Sequence, residues 1–290
     1  MTDFRPRRSV LYLPGSNARA IEKARTLAAD VVIIDLEDAV APDAKEAARA
    51  AAIAAVAAGG WGGREVAIRV NGLDTHWAAS DFAAVAASAA DVLVVPKIAG
   101  AADAARAVAL AGDKPVWPLI ETPRAVLGVE AIADTPGIRG LVAGFADLAK
   151  DLRLKTGPGR EPLLQAMSAI VTAARAANIF AFDGVFTDIT DATGLAAEAA
   201  QARAFGFDGK TCIHPSQLDA VNAAFSPTPD EVEHARGLIA AHEEAGRIGK
   251  AVATFRGKLI EVLHVAEAKR TLAVAEFLAD AAEVAETLID

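Results

Sequence analysis

Eight short, mostly apolar runs, each followed by helix-forming residues, constrain this chain more than any other feature. They lie at 9–13, 31–35, 65–70, 92–95, 115–120, 141–143, 179–185 and 208–213. Continuous apolar runs of this length, bounded by turn residues, read as strands buried on both faces. Between them, alanine-rich segments such as 47–58 supply the best helix former. Such alternation builds a parallel sheet covered by helices. An open doubly wound sheet would share it, so the count of eight decides for a closed TIM (β/α)8 barrel.

Local signals agree. Pro14-Gly15 stops the first strand and Asn17 can cap the helix after it. Thr122 can cap another helix, with Pro123 at its first position. Residues 150–162 read as a polar, glycine-containing loop before a helix over 163–176. The barrel is expected to fill 1–227 and a C-terminal helical extension 228–290. That extension reads as a helix at 230–246, a short apolar segment at 251–255 and a helix at 264–288, serving as a lid or an assembly arm.

The net charge of −9 weighs against nucleic acid, whose phosphates call for a basic surface. It leaves room for a small anionic substrate held by a few local arginines. No apolar run reaches the ~18 residues of a membrane span. The apolar run near the start is too short for a secretory leader, so the expected location is the cytoplasm. A single cysteine, Cys212, excludes an internal disulfide.

A barrel of this kind carries its active site at the C-terminal ends of the strands. Those ends here hold Glu37, Asp38, Arg69, Lys97, Glu121, Asp147, Asp183 and His214. Val116-Trp-Pro-Leu-Ile-Glu-Thr-Pro123 and Leu141-Val-Ala-Gly-Phe-Ala-Asp147 each deliver one carboxylate just past a buried strand. A buried acid without a partner costs free energy. Two of them at one mouth suit a hard divalent cation such as Mg2+, which keeps positions for water and substrate. Each also has a plainer reading: Glu121 can neutralise a helix N-terminus, and Asp147 can cap the next helix. Their presence on successive strands favours the metal.

Arg69 reads as a fork for a carboxylate or for developing enolate charge, or as the ion-pair partner of Glu37 or Asp38. Arg19 is either a solvated helix charge or a contact for a ligand phosphate near Gly15. Lys97, following Pro96, faces either solvent or the mouth. His214 and Cys212 lack the further ligands of a zinc site, so His214 reads as a structural or pocket histidine. Gly157-Pro-Gly159 is a turn signal, and no dinucleotide or P-loop motif occurs.

Taken together, several motifs resemble the citrate lyase beta subunit family. They are Arg8-Ser-Val-Leu-Tyr-Leu-Pro-Gly-Ser16, Asp35-Leu-Glu-Asp-Ala-Val40, Ile68-Arg-Val-Asn71, Val95-Pro-Lys97, Leu119-Ile-Glu-Thr122, Gly144-Phe-Ala-Asp-Leu148, Phe207-Asp-Gly-Lys-Thr-Cys-Ile-His-Pro-Ser-Gln217 and Phe225-Ser-Pro-Thr228. That family is similar to malyl-CoA and citramalyl-CoA lyases within the HpcH/HpaI aldolase superfamily. The resemblance implies a Mg2+-dependent lyase that makes or breaks a carbon–carbon bond beside a CoA thioester, in a homotrimer or hexamer. Its partner would be a small oxo-acid: glyoxylate, pyruvate or oxaloacetate. A thioesterase acting on malyl-CoA-like substrates, or a subunit binding a citryl carrier protein, are the alternatives.

Carried over by position, the resemblance gives Glu121 and Asp147 to the metal and Arg69 to the oxo-acid or enolate. Glu37 and Asp38 order the Arg69 side of the pocket, and Gly144 belongs to the substrate site. Tyr12, Arg19 and Lys97 fall near CoA. Three departures leave the acyl group and the reaction outcome open: Ala146 stands where the family carries a glutamate, Met167 where an arginine is usual, and Glu261 where malyl-CoA lyase-like members carry an acid/base aspartate.

Overall fold

A computed structural model describes residues 5–155, 159–248 and 252–287. Gly157 and Pro158 of the expected loop lie outside them. The chain divides into two compact units, Arg7–Phe225 and a second one from Ser226 onward.

The first unit is a closed parallel barrel whose eight strands are hydrogen-bonded in sequence order. The strands are β1 Ser9–Pro14, β2 Val31–Asp35, β3 Glu65–Arg69, β4 Val92–Val95, β5 Val116–Ile120, β6 Gly140–Ala143, β7 Phe180–Asp183 and β8 Gly209–Cys212. The helices of this unit are α1 Ala18–Ala24, α2 Lys45–Ala57, α3 Ala78–Ala86, α4 Ala101–Ala111, α5 Pro123–Leu127, α6 Val129–Ala133, α7 Phe145–Asp151, α8 Leu164–Ala176, α9 Ala192–Phe205 and α10 Leu218–Phe225.

The two-residue period of a strand splits the core in two. Val31 and Ile33 join Val10, Ala67, Trp117, Leu119, Val142 and Phe182 inside the barrel. Val32 and Ile34 join the larger cluster between the sheet and the helices. Trp117 and Phe182 fill the interior with ring centroids 4.8 Å apart. At the N-terminal mouth Arg7 pairs with Glu65 and lies 4.2 Å from the Phe180 ring, closing that end.

Asn17 and Thr122 cap α1 and α5 through their side chains, as their residue types predict. Besides strand ends that differ by one or two residues, such as β7 stopping at Asp183, the structure departs from the sequence reading at three elements of this unit. Gly128 divides the helix after Pro123 into α5 and α6. Helix α7 already holds Lys150, which the sequence reading put in a loop, because Gly144 ends the strand register and Phe145 and Leu148 bury one helical face. Leu218, Val221 and Phe225, spaced for a helix, form the buried face of α10, an element the sequence reading left out.

In the second unit, α11 Pro229–Arg247 begins with a reciprocal Thr228–Glu231 capping box. The apolar segment expected there is β9 Ala253–Phe255, paired antiparallel with β10 Lys258–Ile260. Arg256 and Gly257, both at positive φ, make the tight turn between them. Helix α12 spans Val262–Thr287. Among the described residues, no helix is long and apolar enough to cross a membrane.

Candidate active site

The polar groups at the C-terminal mouth continue the interior register of the strands. Two residues beyond Val10 comes Tyr12, beyond Ile33 comes Asp35, and beyond Ala67 comes Arg69. Leu119 is followed in the same way by Glu121, and Val142 by Gly144. One strand face thus turns from apolar to polar at a single level. Tyr12, Asp35, Arg69, Leu119, Glu121 and Gly144, with Asp38, Ala39, Ala143, Phe145, Ala146, Asp147, Val185, Thr211 and Ile213, line a cavity of about 350 Å³.

Glu121 is only 2 % exposed. Its Oε1 accepts the backbone N–H of Lys97 at 2.6 Å. Burial pushes the acid up to about 7 against the pull of that hydrogen bond. Oε2 lies over Gly144, where a Cβ would come within 2.7 Å of it and 2.4 Å from Glu121 Cβ. Only glycine leaves this approach open. Asp147 is in the first turn of α7, but Gly144 is the N-cap and no side chain caps the helix. The capping reading of Asp147 is therefore replaced. Among the described residues its carboxylate makes no hydrogen bond or salt bridge, and it lines the same cavity as Glu121.

A divalent cation fits this donor set. Both donors are carboxylate oxygens, one is buried at a cost that positive charge offsets, and a glycine keeps the space beside it clear. Among the described residues no group of three or more His, Cys, Asp or Glu side chains is placed to hold a metal ion, so water and substrate would complete the coordination.

Arg69 is held from two sides. Its Nε and Nη2 donate to Asp35 at 2.6 and 2.7 Å, and Nη1 pairs with Glu37 at 3.0 Å. Burial opposes the charge, but the Asp35 hydrogen bonds and the negative charges nearby together outweigh it and raise the pKa. Asp35 also accepts the backbone N–H groups of Glu37 and Ala39, which shapes the turn after β2. The sequence reading gave Asp35 no role. The signal was available: an acid ends an apolar run on the inward face, as Glu121 does.

Glu37 is buried, which raises its pKa, and it also pairs with Lys97 Nζ at 3.2 Å. Asp38 is 61 % exposed in its side chain, with Arg69 at 3.9 Å. Tyr12 faces the cavity with its ring 5.0 Å from the Arg69 guanidinium, and burial pushes its phenol up, so it stays protonated. The Lys97 ammonium is mostly exposed. Arg19 is exposed on α1 and is not among the residues lining the cavity.

Asp183 and His214 turn to other work. Asp183 is buried against Arg160 and Lys210. The ring of His214 accepts from Ser216 N–H and caps the turn over Pro215–Gln217. Glu261 lies in the second unit, exposed, beside a hollow of about 520 Å³ with no arginine or lysine among the described residues that line it. Ala146 is exposed at the cavity and Met167 is buried in α8.

The residue pattern of the HpcH/HpaI aldolase/citrate lyase family matches residues 8–215 of this chain. The chain belongs to that family. Among its HpcH/HpaI relatives, a (3S)-malyl-CoA thioesterase of Cereibacter sphaeroides is 46 % identical over 274 residues, covering 94 % of this chain and 96 % of the relative. Citrate lyase subunit beta of Escherichia coli is 34 % identical over 284 residues, 94 % of each chain. Among solved structures, the family protein CitE of Mycobacterium tuberculosis, in complex with magnesium, acetoacetate and coenzyme A, superposes with a TM-score of 0.78 at 30 % identity. That match covers 95 % of this chain and 100 % of the other. The malyl-CoA thioesterase thus shares more of its sequence with this chain than the citrate lyase subunit does.

Proposed function

We propose that this protein is a Mg2+-dependent thioesterase acting on a malyl-CoA-like substrate and releasing CoA and the free hydroxy acid. The observation that carries the reading is the pair Glu121 and Asp147 sharing one cavity with Arg69, in a chain similar end to end to a malyl-CoA thioesterase.

Glu121 and Asp147 would hold the ion, which when bound supplies positive charge to the substrate's oxygens. Arg69 donates through Nε and Nη2 to Asp35 and ion-pairs with Glu37 through Nη1, and its remaining guanidinium N–H groups hold the distal carboxylate of the acyl group. Tyr12, protonated, donates a hydrogen bond to the thioester oxygen as that oxygen gains charge. Glu37, clamped between Arg69 and Lys97, holds the arginine's plane. Asp38, open to water, takes a proton from the attacking water. The water oxygen bonds to the acyl carbon, the carbon–sulfur bond breaks, and that proton ends on the departing thiolate. Gly144 leaves room over Glu121, while Lys97 and Arg19 meet the CoA phosphates at the rim.

Assembly into a homotrimer or hexamer belongs to this proposal, with Glu261 of a neighbouring copy as a proton carrier. Ile248, Val252, Leu259, Val262 and Leu263 of the second unit are all exposed, which supports burial against another copy.

The second reading is reversible cleavage to an acyl-CoA and glyoxylate, pyruvate or oxaloacetate with the same residues. Similarity to citrate lyase subunit beta supports it. Incubating the protein with Mg2+ and malyl-CoA separates the two. Hydrolysis releases free thiol and malate without glyoxylate, whereas cleavage gives acetyl-CoA and glyoxylate without free thiol. Neither product set, with Glu121→Ala behaving like the unchanged protein, would sink both.

A further inference from the structure

Lys210 on β8 is 0 % exposed, a rare place for a lysine. Its Nζ donates to Asp183 Oδ2 at 2.8 Å, to the Gly184 carbonyl at 2.6 Å and to Glu198 Oε1 at 2.6 Å. All three ammonium protons are used, so this lysine is neither a base nor a nucleophile in waiting. Asp183, equally buried, also accepts Arg160 Nη1 at 2.7 and 2.9 Å. Arg160 reaches on to the Glu198 carbonyl at 3.0 Å and to Gln201 at 3.0 Å. Two cations thus meet two carboxylates, with Asp183 and Lys210 fully buried and Glu198 at the edge. Such a cluster is costly to desolvate and adds little net stability, so its worth lies in what it holds in place.

What it holds is Gly184. A Cβ there would come 2.9 Å from Phe145 Cδ2 and 3.0 Å from the Ala143 carbonyl oxygen, so the backbone lies hard against both. Ala143 and Phe145 flank Gly144, the residue beneath Glu121 Oε2. Phe145 opens α7, whose first turn carries Asp147. Arg160 bears on the same segment, with its guanidinium carbon 5.9 Å from the Phe145 ring centroid. A chain of contacts therefore runs from Lys210 through Gly184 to the two carboxylates of the mouth.

We propose that the buried cluster of Arg160, Asp183 and Lys210 positions the divalent-cation site, by fixing Gly184 against the segment that places Asp147 beside Glu121. The proposal rests on reading Glu121 and Asp147 as the cation pair.

The test is Mg2+ titration by calorimetry on the full chain, well below the melting temperature of each variant. Lys210→Met removes the anchor and Gly184→Ala pushes on Phe145 with the charges intact. Glu121→Gln is the control. Both variants are expected to stay folded by circular dichroism and to bind Mg2+ about 10- to 100-fold more weakly, the usual effect of losing a group that supports a ligand. A cluster that serves stability alone would lower the melting temperature and leave the affinity where it was. Folded variants with unchanged affinity, beside a Glu121→Gln protein that no longer binds, would therefore overturn the proposal. Gly184→Ala decides alone should Lys210→Met not fold. A Glu121→Gln protein that binds Mg2+ normally overturns the cation-site reading, and this proposal with it.

Discussion

The backbone N–H of Lys97 meets Glu121 Oε1 at 2.6 Å from a left-handed conformation, φ 56°. A non-glycine residue tolerates that region poorly, and such strain concentrates at functional positions. The strained turn aims an amide at a buried carboxylate. Lys97→Gly is therefore expected to keep the fold and the hydrogen bond, since the ammonium it deletes is mostly exposed and Glu37 keeps Arg69 as a partner. Lys97→Val is expected to destabilise by about 1–3 kcal/mol, because a branched Cβ resists positive φ. Urea unfolding of the two variants checks this; equal stabilities would mean that the turn is not under strain.

Gly144 predicts a second outcome. A Cβ at this position would lie 2.4 Å from Glu121 Cβ, so Gly144→Ala must move the acid or the start of α7. The chain should fold, with Mg2+-dependent turnover reduced by at least about tenfold. Glu121→Gln and Asp147→Asn should each remove the Mg2+ dependence altogether. Turnover against Mg2+ concentration reads all three.

Asp35 and Arg69 predict a loss of stability as well as of activity. Asp35→Asn cannot accept both guanidinium N–H groups, and it leaves a buried arginine with Glu37 as its remaining close partner. Removing one member of a buried pair costs about 3–5 kcal/mol. Denaturant midpoints should fall accordingly, and the KM for the thioester should rise as Arg69 loses its fixed plane. A variant as stable as the unchanged protein would show that the pair is dispensable.

Cys212 gives the pH prediction. Burial pushes its thiol up to about 12, from an ordinary value of 9.0. A pKa raised by folding means that the contribution to stability is complete below the unfolded value and is lost as pH rises through the folded one. The loss should therefore appear in alkaline unfolding between about pH 9 and 12 and be weaker in Cys212→Ala. At pH 8 the native thiol should resist a disulfide reagent and react promptly once the chain is unfolded. Rapid labelling of the native protein would contradict the burial argument.

The barrel was legible because its information is local. Alternation of strand and helix, and the two-residue period within each strand, depend on sequence neighbours, so the eight strands and the inward acids at their ends could be read directly. Helix α7 was missed because Gly-Phe-Ala-Asp looks like a strand exit until the packing of Phe145 and Leu148 shows the turn closing. Glu121, Asp147 and Arg69 were found as strand-end charges in apolar surroundings. Lys210 and Arg160 were not, since one is a lone charge within the eighth strand and the other looks like a solvated loop residue until their partners on β7 and α9 are known.

The amino-acid order alone determined how many strands the barrel has, which side chains face inward, and that carboxylates emerge at one end. Only the folded barrel decided which charge belongs to which. Asp35 and Arg69 stand side by side in the register of β2 and β3 although 34 residues separate them in the chain. A hydrogen bond or an ion pair depends on distance and burial, and both are set when the strands align and close, not by the residues on either side in the sequence.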